Sequence, residues 1–361
     1  MINLVSPINT LGYGIASYNI LRQLVKRDES VMLYTIGDPE FTDDIVIRAI
    51  KNQQNPSKEF HIIPILKIWH QHDLHTLPEP IKHIKPLIGF PIFELDKFSN
   101  DEVESIEQCD KIFVCSRWAK DIIVNNTKFN DKDVHVVPLG VDSNVFKPTQ
   151  LKGRKKTIFF NCGKWEKRKG HDVLLECFNT AFTHSDEVEL WMMCDNPFIG
   201  QQNEKWQKMY KTSELGYKVK IIPRQVSHKD VYNIMAQSDC GVFPARAEGW
   251  NLELLEMMAC GKDVIATNYS AHTEFCNENN SRLVSIDNIE TAYDGVFFDG
   301  KKGMWAEISE GQKEQIISHM RDVHNAKQEG VLSVNQSGIN TANKFSWENS
   351  CQEVVNGLFH T

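Results

Sequence analysis

Short apolar runs recur along this chain, and most are followed by a polar turn and then by a stretch with helical periodicity. The runs fall at residues 2–6, 31–34, 65–69, 87–91, 111–115 and 134–137, and again at 157–162, 188–193, 218–222, 240–243 and 263–267. Runs this short and this apolar belong in a parallel sheet covered on both faces. Helical patterns occupy 15–25 and begin again at His171, Ser227 and Leu252. Strand, crossover and strand in this repetition specify an α/β fold with doubly wound parallel sheets. The polar and basic stretch 146–156, with Pro148 and Gly153, breaks the alternation and reads as a linker. At 361 residues the chain can build two cores. The expected division is 1–150, 151–340 and a final segment 341–361, in which Ser346 caps a helix running to Leu358. Two such Rossmann-like domains imply a central cleft, because ligands gather at the carboxyl ends of strands.

Composition removes several function classes. A formal charge of −8 argues against a nucleic-acid groove, while a local basic patch leaves room for weak peripheral contact with a membrane. No apolar run has the length of a transmembrane segment, and Met1 leads directly into an apolar strand rather than a signal peptide, so a cytoplasmic protein is expected. Nine cysteines lie scattered without a C-x-x-C pair and read as reduced core residues. Asp131-Lys132-Asp133 spells D-x-D, but it precedes a strand and reads as a turn. No other metal-ligating cluster is visible, so neither a metal nor a cofactor is expected.

The chemistry concentrates between the run at 240–243 and the helix that follows it. The nonapeptide Glu248-Gly249-Trp250-Asn251-Leu252-Glu253-Leu254-Leu255-Glu256 puts one carboxylate before a helix N-terminus and a second one turn inside it. Free N–H groups at that end suit an anion such as a pyrophosphate, and the flanking carboxylates suit a sugar. A second loop, Gly163-Lys164-Trp165-Glu166-Lys167-Arg168-Lys169-Gly170, joins strand to helix with four basic residues and reads as anion-binding. In the first half, Thr10-Leu11-Gly12-Tyr13-Gly14 is a glycine-rich turn in which Gly14 allows close approach of a ligand to the backbone. Polar groups also follow three later strands, at His70-Gln71-His72-Asp73, Phe93-Glu94-Leu95-Asp96 and Ser116-Arg117-Trp118.

Together these stretches resemble the retaining GT-B-fold glycosyltransferases of family 4, which move a sugar from a nucleotide-sugar donor to an acceptor. Glu248 to Glu256 matches that family's E-x(7)-E motif, followed by Met-Ala-Cys-Gly-Lys-Asp-Val-Ile-Ala-Thr. Gly163-Lys164 with Lys169-Gly170 matches its basic pair, and Ser116-Arg117-Trp118-Ala119-Lys120 and Val137-Pro138-Leu139-Gly140-Val141-Asp142 match its markers closing the first domain. The resemblance implies a hexosyltransferase whose partners are a nucleotide-sugar donor and a glycan or lipid-linked sugar acceptor. It implies that Glu248 faces the transferred sugar, that Glu256 holds the ribose hydroxyls, and that Lys164 and Lys169 neutralise the departing diphosphate. Backbone N–H groups of Trp250, Asn251 and Leu252 would contact sugar or phosphate. Gly163 and Gly14 would line the donor site, and Arg224 with Gln225 would contribute to selecting the base. His72 would touch the donor sugar, with His70 its near competitor. The last helix would cross back onto the first domain. Retention follows from same-face attack or from a covalent intermediate, and the resemblance points to the former.

The sequence also departs from the family pattern. Lys164 replaces an arginine and cannot make its planar two-point contact with phosphate, a role Arg168 could take over. Trp250 and Asn251 stand where the family has an aromatic and a second glycine, and asparagine tolerates the left-handed backbone such a turn needs. Glu253 replaces a common proline and suits the first helical turn. The alternative to an enzyme is a noncatalytic nucleotide-sugar-binding or scaffold protein on the same fold.

Overall fold

The computed structural model of the chain describes residues 1–54, 63–149 and 154–359. It divides into two compact units, one formed by Met1–Gly140 with Phe345–Thr361 and the other by Val141–Lys344.

The first unit carries strands β1 (Ile2–Ser6), β2 (Val31–Thr35), β3 (Ile65–Ile68), β4 (Leu87–Phe90), β5 (Lys111–Val114) and β6 (Val134–Val136). They form one parallel sheet in the order β2-β1-β3-β4-β5-β6. Helices α1 (Gly12–Lys26), α2 (Asp44–Gln54), α3 (Asn100–Glu107) and α4 (Arg117–Asn126) connect them. Every residue of β1, β3 and β4 is buried, as expected of strands covered on both faces. Their side chains build a core that includes Ile65, Leu74, Phe93, Ile112 and Val114. Local chemistry sets the helix starts: Ser99 and Glu102 close a reciprocal capping box on α3, and Ser116 accepts from the Ala119 N–H on α4.

The second unit carries β7 (Thr157–Gly163), β8 (Val188–Cys194), β9 (Val219–Ile221), β10 (Cys240–Phe243), β11 (Asp263–Thr267) and β12 (Arg282–Val284). Their order is β12-β11-β10-β7-β8-β9, again parallel. Helices α5 (His171–Ala181), α6 (Gln201–Lys211), α7 (His228–Gln237) and α8 (Leu252–Ala259) cross between strands, and a core of Phe159, Trp165, Phe178, Leu190 and Ile265 lies between the layers. An antiparallel hairpin not legible in the sequence, β13 (Ile289–Tyr293) with β14 (Asp299–Ala306), follows, and then α9 (Glu310–Gln328) and α10 (Gln336–Lys344).

The last helix, α11 (Trp347–Phe359), packs with the first unit on α1. Ser346 Oγ caps it by accepting from the Asn349 N–H at 3.2 Å. Gly357 is required there, because a Cβ would sit 2.6 Å from the Phe113 ring. The stretch 146–156 is no simple linker where it is described. Phe146 is buried and packs against His228 and Tyr232, and the division between units falls earlier, after Gly140. The nine cysteines are all free thiols. Asp131–Asp133 is a single helical turn capped by Asn130.

Candidate functional site

In an open parallel sheet the strand order reverses at one point, and the loops leaving the two strands there diverge to opposite faces and open a crevice. In the second unit that point lies between β7 and β10. The loop after β7 carries Lys164 to Gly170 and the loop after β10 carries Glu248, so topology brings together the two stretches singled out in the sequence.

Two bonds tie the loops: the Arg246 backbone N–H donates to Arg168 O at 2.7 Å, and the Arg168 guanidinium donates from Nη1 to Ala247 O at 2.7 Å. Two glycines make this possible. Gly163, at φ 132°, has the Lys169 stem where a Cβ would stand, 2.9 Å away. Gly170, at φ 73°, would drive a Cβ to 2.0 Å from Pro244 O. His171 stitches the base of the loop, its Nδ1 accepting from the Glu166 N–H at 3.1 Å while Nε2 lies 3.0 Å from Asn161 Oδ1 on β7. Burial, reinforced by the Lys169 charge, pushes His171 down to about 3, so it acts as a neutral strut.

Glu248 is buried with one cation on each oxygen: Lys169 Nζ lies 2.8 Å from Oε1 and Arg168 Nη1 lies 2.8 Å from Oε2. Burial alone would raise its carboxyl, but the two cations more than reverse that and hold it well below the usual range. Lys169 answers in kind. Burial pulls its ammonium down, and Glu248 with Glu253 raises it above its ordinary value. Glu248 N–H donates to Ser270 Oγ at 2.9 Å, which fixes the loop from below.

Asn251 adopts the left-handed conformation anticipated for it, φ 86° and ψ 77°, and its side chain caps α8 by accepting from the Leu254 N–H at 3.1 Å. Its Nδ2 lies 2.9 Å from His272 Nε2, while His272 Nδ1 lies 3.0 Å from Thr267 O, a pattern that suits a neutral Nδ1–H imidazole. The intrahelical pattern offers no acceptor to the N–H of Leu252. The Trp250 side chain faces inward, buried against Phe275 with ring centroids 4.9 Å apart.

Burial, with the Glu253 charge, pushes the Glu256 carboxyl well above its ordinary value, so the two outer glutamates of the motif are displaced in opposite directions. One expectation needs correction. Arg168 does not stand in for the missing arginine at Lys164. Its guanidinium is buried between Glu166 and Glu248 and is fully committed to them and to Ala247 O. Lys164 itself is half-exposed, pairs with Glu166 at 2.9 Å, and lies 5.7 and 5.9 Å from the ring centroids of Phe198 and Phe297. Arg224 leaves β9, two strands from β7, away from this cluster in the sheet order. Sequence reasoning did not find Arg246, which grips Asp172 through two bonds of 2.8 and 2.9 Å and reaches Glu290 on the hairpin at 3.0 Å. Nothing local marks it, since Glu290 lies on an element the sequence did not announce.

The first unit reverses between β1 and β3, and its candidate residues follow those two strands. The helix starts at Gly12 rather than after Gly14, so the glycines are its first turn and not a loop. Asn9 lies so close over that turn that a Cβ on Gly14 would meet its backbone N and O at 2.4 Å. Tyr13, between the glycines, packs on Trp69 and His70 at 5.7 and 4.6 Å, and its hydroxyl donates to Ile92 O at 2.7 Å. His70 is therefore wedged against Tyr13, whereas His72 is exposed and stacks on the far side of His70 at 5.5 Å. A separate cavity of about 490 Å³ in this unit is lined by Tyr34, Lys67, Asp73 and Thr76 among others and holds none of these residues. Its buried Lys67 is already engaged by Thr76 O at 2.5 Å and by Asp73 at 3.7 Å. Among the described residues no group of His, Cys, Asp and Glu is placed to hold a metal, and no helix is long and apolar enough to cross a membrane.

Residues 155–296 match the family model described as glycosyl transferases group 1. Over 271 residues, 69% of the chain, the sequence is 22% identical to a mannosylfructose-phosphate synthase of Agrobacterium fabrum. That alignment takes in 56% of the synthase, so the chain spans about half the length of this curated relative. Among solved structures, sucrose-phosphate synthase from Thermosynechococcus elongatus superposes with a TM-score of 0.71 at 14% identity, covering 98% of this chain and 96% of that one. Anabaena HepE in complex with UDP and glucose superposes with a TM-score of 0.69 at 14% identity, covering 100% and 99%. The fold is that of the GT-B glycosyltransferases among these neighbours.

Proposed function

We propose that this chain, built around a glycosyl transferases group 1 domain at residues 155–296, is a glycosyltransferase that takes a nucleotide-diphosphate sugar and passes the sugar to an acceptor with retention and without a metal. The observation that supports this reading is Glu248, a buried carboxylate with a cation on each oxygen, beside the N-terminus of α8. Breaking an anomeric C–O bond develops positive charge on the sugar and negative charge on the diphosphate, and fixed opposite charges favour that separation. Glu248 would face the positive sugar. Lys164, half-exposed in the loop, would meet the diphosphate together with Lys169, Gly163 and the N–H groups from Trp250 to Leu252. Glu256, whose carboxyl burial holds well above its ordinary value, would hydrogen-bond the ribose hydroxyls, a task for which the neutral form has both a donor and an acceptor. Arg224 would lie toward the base, and Gly14 and His72 are assigned to the donor sugar by resemblance. The neighbour solved with UDP and glucose makes a uridine donor the first to test. The acceptor is a glycan or lipid-linked sugar in this reading, met by a cytoplasmic protein with at most peripheral membrane contact.

A thermal-shift screen against UDP-, GDP-, ADP- and CDP-sugars tests the donor, since a ligand bound to the native state raises its melting temperature by mass action. Turnover of the stabilising donor with candidate acceptors, lost in Glu248→Ala, is the expected result. Donor binding without turnover on any acceptor would move the protein to the noncatalytic class.

A further inference from the structure

Five charged side chains form one alternating chain across the two loops. Lys164 Nζ lies 2.9 Å from Glu166 Oε1, and Arg168 Nη2 lies 2.8 Å from Glu166 Oε2. Arg168 Nη1 lies 2.8 Å from Glu248 Oε2, and Lys169 Nζ lies 2.8 Å from Glu248 Oε1. Each of the four carboxylate oxygens thus has a cationic partner, Arg168 serving one oxygen of each glutamate, so neither carboxylate can turn without breaking a pair. The middle of the chain is closed to water: Glu166 and Arg168 side chains are each 3% exposed, while Lys164 at the end is 37% exposed. Arg168 is also pinned by Ala247 O, on the residue before Glu248. Buried this way, it is placed to act through its neighbours.

We propose that Glu166 and Arg168 are positioning residues that join Lys164 to Glu248, so that the diphosphate-facing cation and the sugar-facing carboxylate keep a fixed separation and work as one unit. The catalytic half of this inference rests on the glycosyltransferase reading; the linkage itself does not. An arginine suits the middle position because its planar fork can hold two carboxylates at once, whereas an ammonium offers only a point charge. The groups facing Glu248 are Arg168 and Lys169 from the loop before α5 and His272 from the turn after β11, with Glu253 of α8 acting on Lys169.

Two readouts separate the linkage from the function. Carboxyl ¹³C titration of glutamate-labelled protein, with Glu248 assigned by the signal lost in Glu248→Gln, needs no ligand. In folded Arg168→Gln the Glu248 midpoint should rise by about one unit or more, and Arg168→Lys should fall between it and the wild type. An unmoved midpoint in both variants overturns the proposal. If Arg168→Gln does not fold, Arg168→Lys carries this arm alone. The second readout is Glu166→Gln, with UDP as binding probe and UDP-glucose, or whichever of the four nucleotide sugars is turned over, as donor. Loss of orientation at Lys164 should lower kcat about tenfold while UDP binds no more weakly, because one buried negative charge has gone. Parallel loss of kcat and UDP affinity, tracking a lower melting temperature, would mean a merely structural pair. A wild type that turns over no nucleotide sugar would sink the transferase reading and leave the titration to decide the linkage.

Discussion

The two switch points of this molecule share one topology and differ in what fills it. In the first unit the turn after β1 is crossed by the Asn9 backbone, starts its helix at Gly12, and is backed by the aromatic and imidazole rings of Tyr13, Trp69, His70 and His72. In the second unit the corresponding turn after β7 is filled by Lys164, Glu166, Arg168 and Lys169, with Glu248 arriving from β10. The fold supplies a crevice in each place. In the second, Glu166, Arg168, Lys169 and Glu248 are buried side by side at the turn itself, where water does not screen them and charge development in a reaction can be answered.

The sharpest way to break the comparison is Glu248→Gln. It removes the carboxylate with little change in shape and should lower kcat by about 10²–10³-fold, on the scale of deleting one preorganised electrostatic contact. His72→Gln in the first unit should cost visibly less in the same steady-state assay, and an equal loss would erase the distinction. Next comes Lys169→Met, which leaves Glu248 buried with Arg168 alone. Breaking a buried pair from one side costs about 3–5 kcal/mol, to be read from urea unfolding. Gly14→Ala should cost roughly 1–3 kcal/mol by overpacking against Asn9, whereas Gly12→Ala, with nothing within 4 Å of its Cβ, should be neutral or stabilise by about 0.5 kcal/mol. Equal effects at the two glycines would mean that Asn9 does not lie where the structure has it.

The smallest effect has an unusual sign. The Glu256 carboxyl is raised above its ordinary 4.5, so from that value upward the folded state holds a proton that the unfolded state has lost, and stability falls as pH rises through the folded value. Glu256→Gln should therefore stabilise the unliganded protein at neutral pH, with the gain vanishing below about pH 4.5. Glu248 behaves oppositely. Its carboxyl is depressed, so its contribution is fully present above 4.5 and is lost as pH falls below that toward its folded value. Relative to the wild type, the two glutamine variants should shift the melting temperature in opposite directions at neutral pH, and parallel shifts would refute the opposite displacement of the two carboxyls.

Much of this was legible in the chain. Fully buried parallel strands must be apolar on both faces, so the runs at β1, β3, β4 and β10 declared themselves, and Ser346 declared the start of α11 through its hydroxyl. Asn251 was readable as a left-handed cap for a reason local to one residue. The hairpin β13–β14 was not legible, because its strands are half-exposed and carry no continuous apolar run. The sequence marks no start for α1, since Leu11 at its N-cap makes no side-chain cap bond, and the close approach of Asn9 to Gly14 is one that residue types do not announce.

The sequence by itself determined the fold class, the strands that bear the site and the residue types within it. Those follow from periodicity and from backbone preferences that act over a few residues. Tertiary structure alone decided what each charge is for. Arg168 and Lys164 are equally basic in the sequence, yet one is buried between two carboxylates and the other reaches solvent. Glu248 and Glu256 are equally acidic, yet two cations hold the first carboxyl below its ordinary value while burial beside Glu253 pushes the second above it. Protonation and pairing depend on distance and dielectric across the fold, which spacing along the chain does not specify.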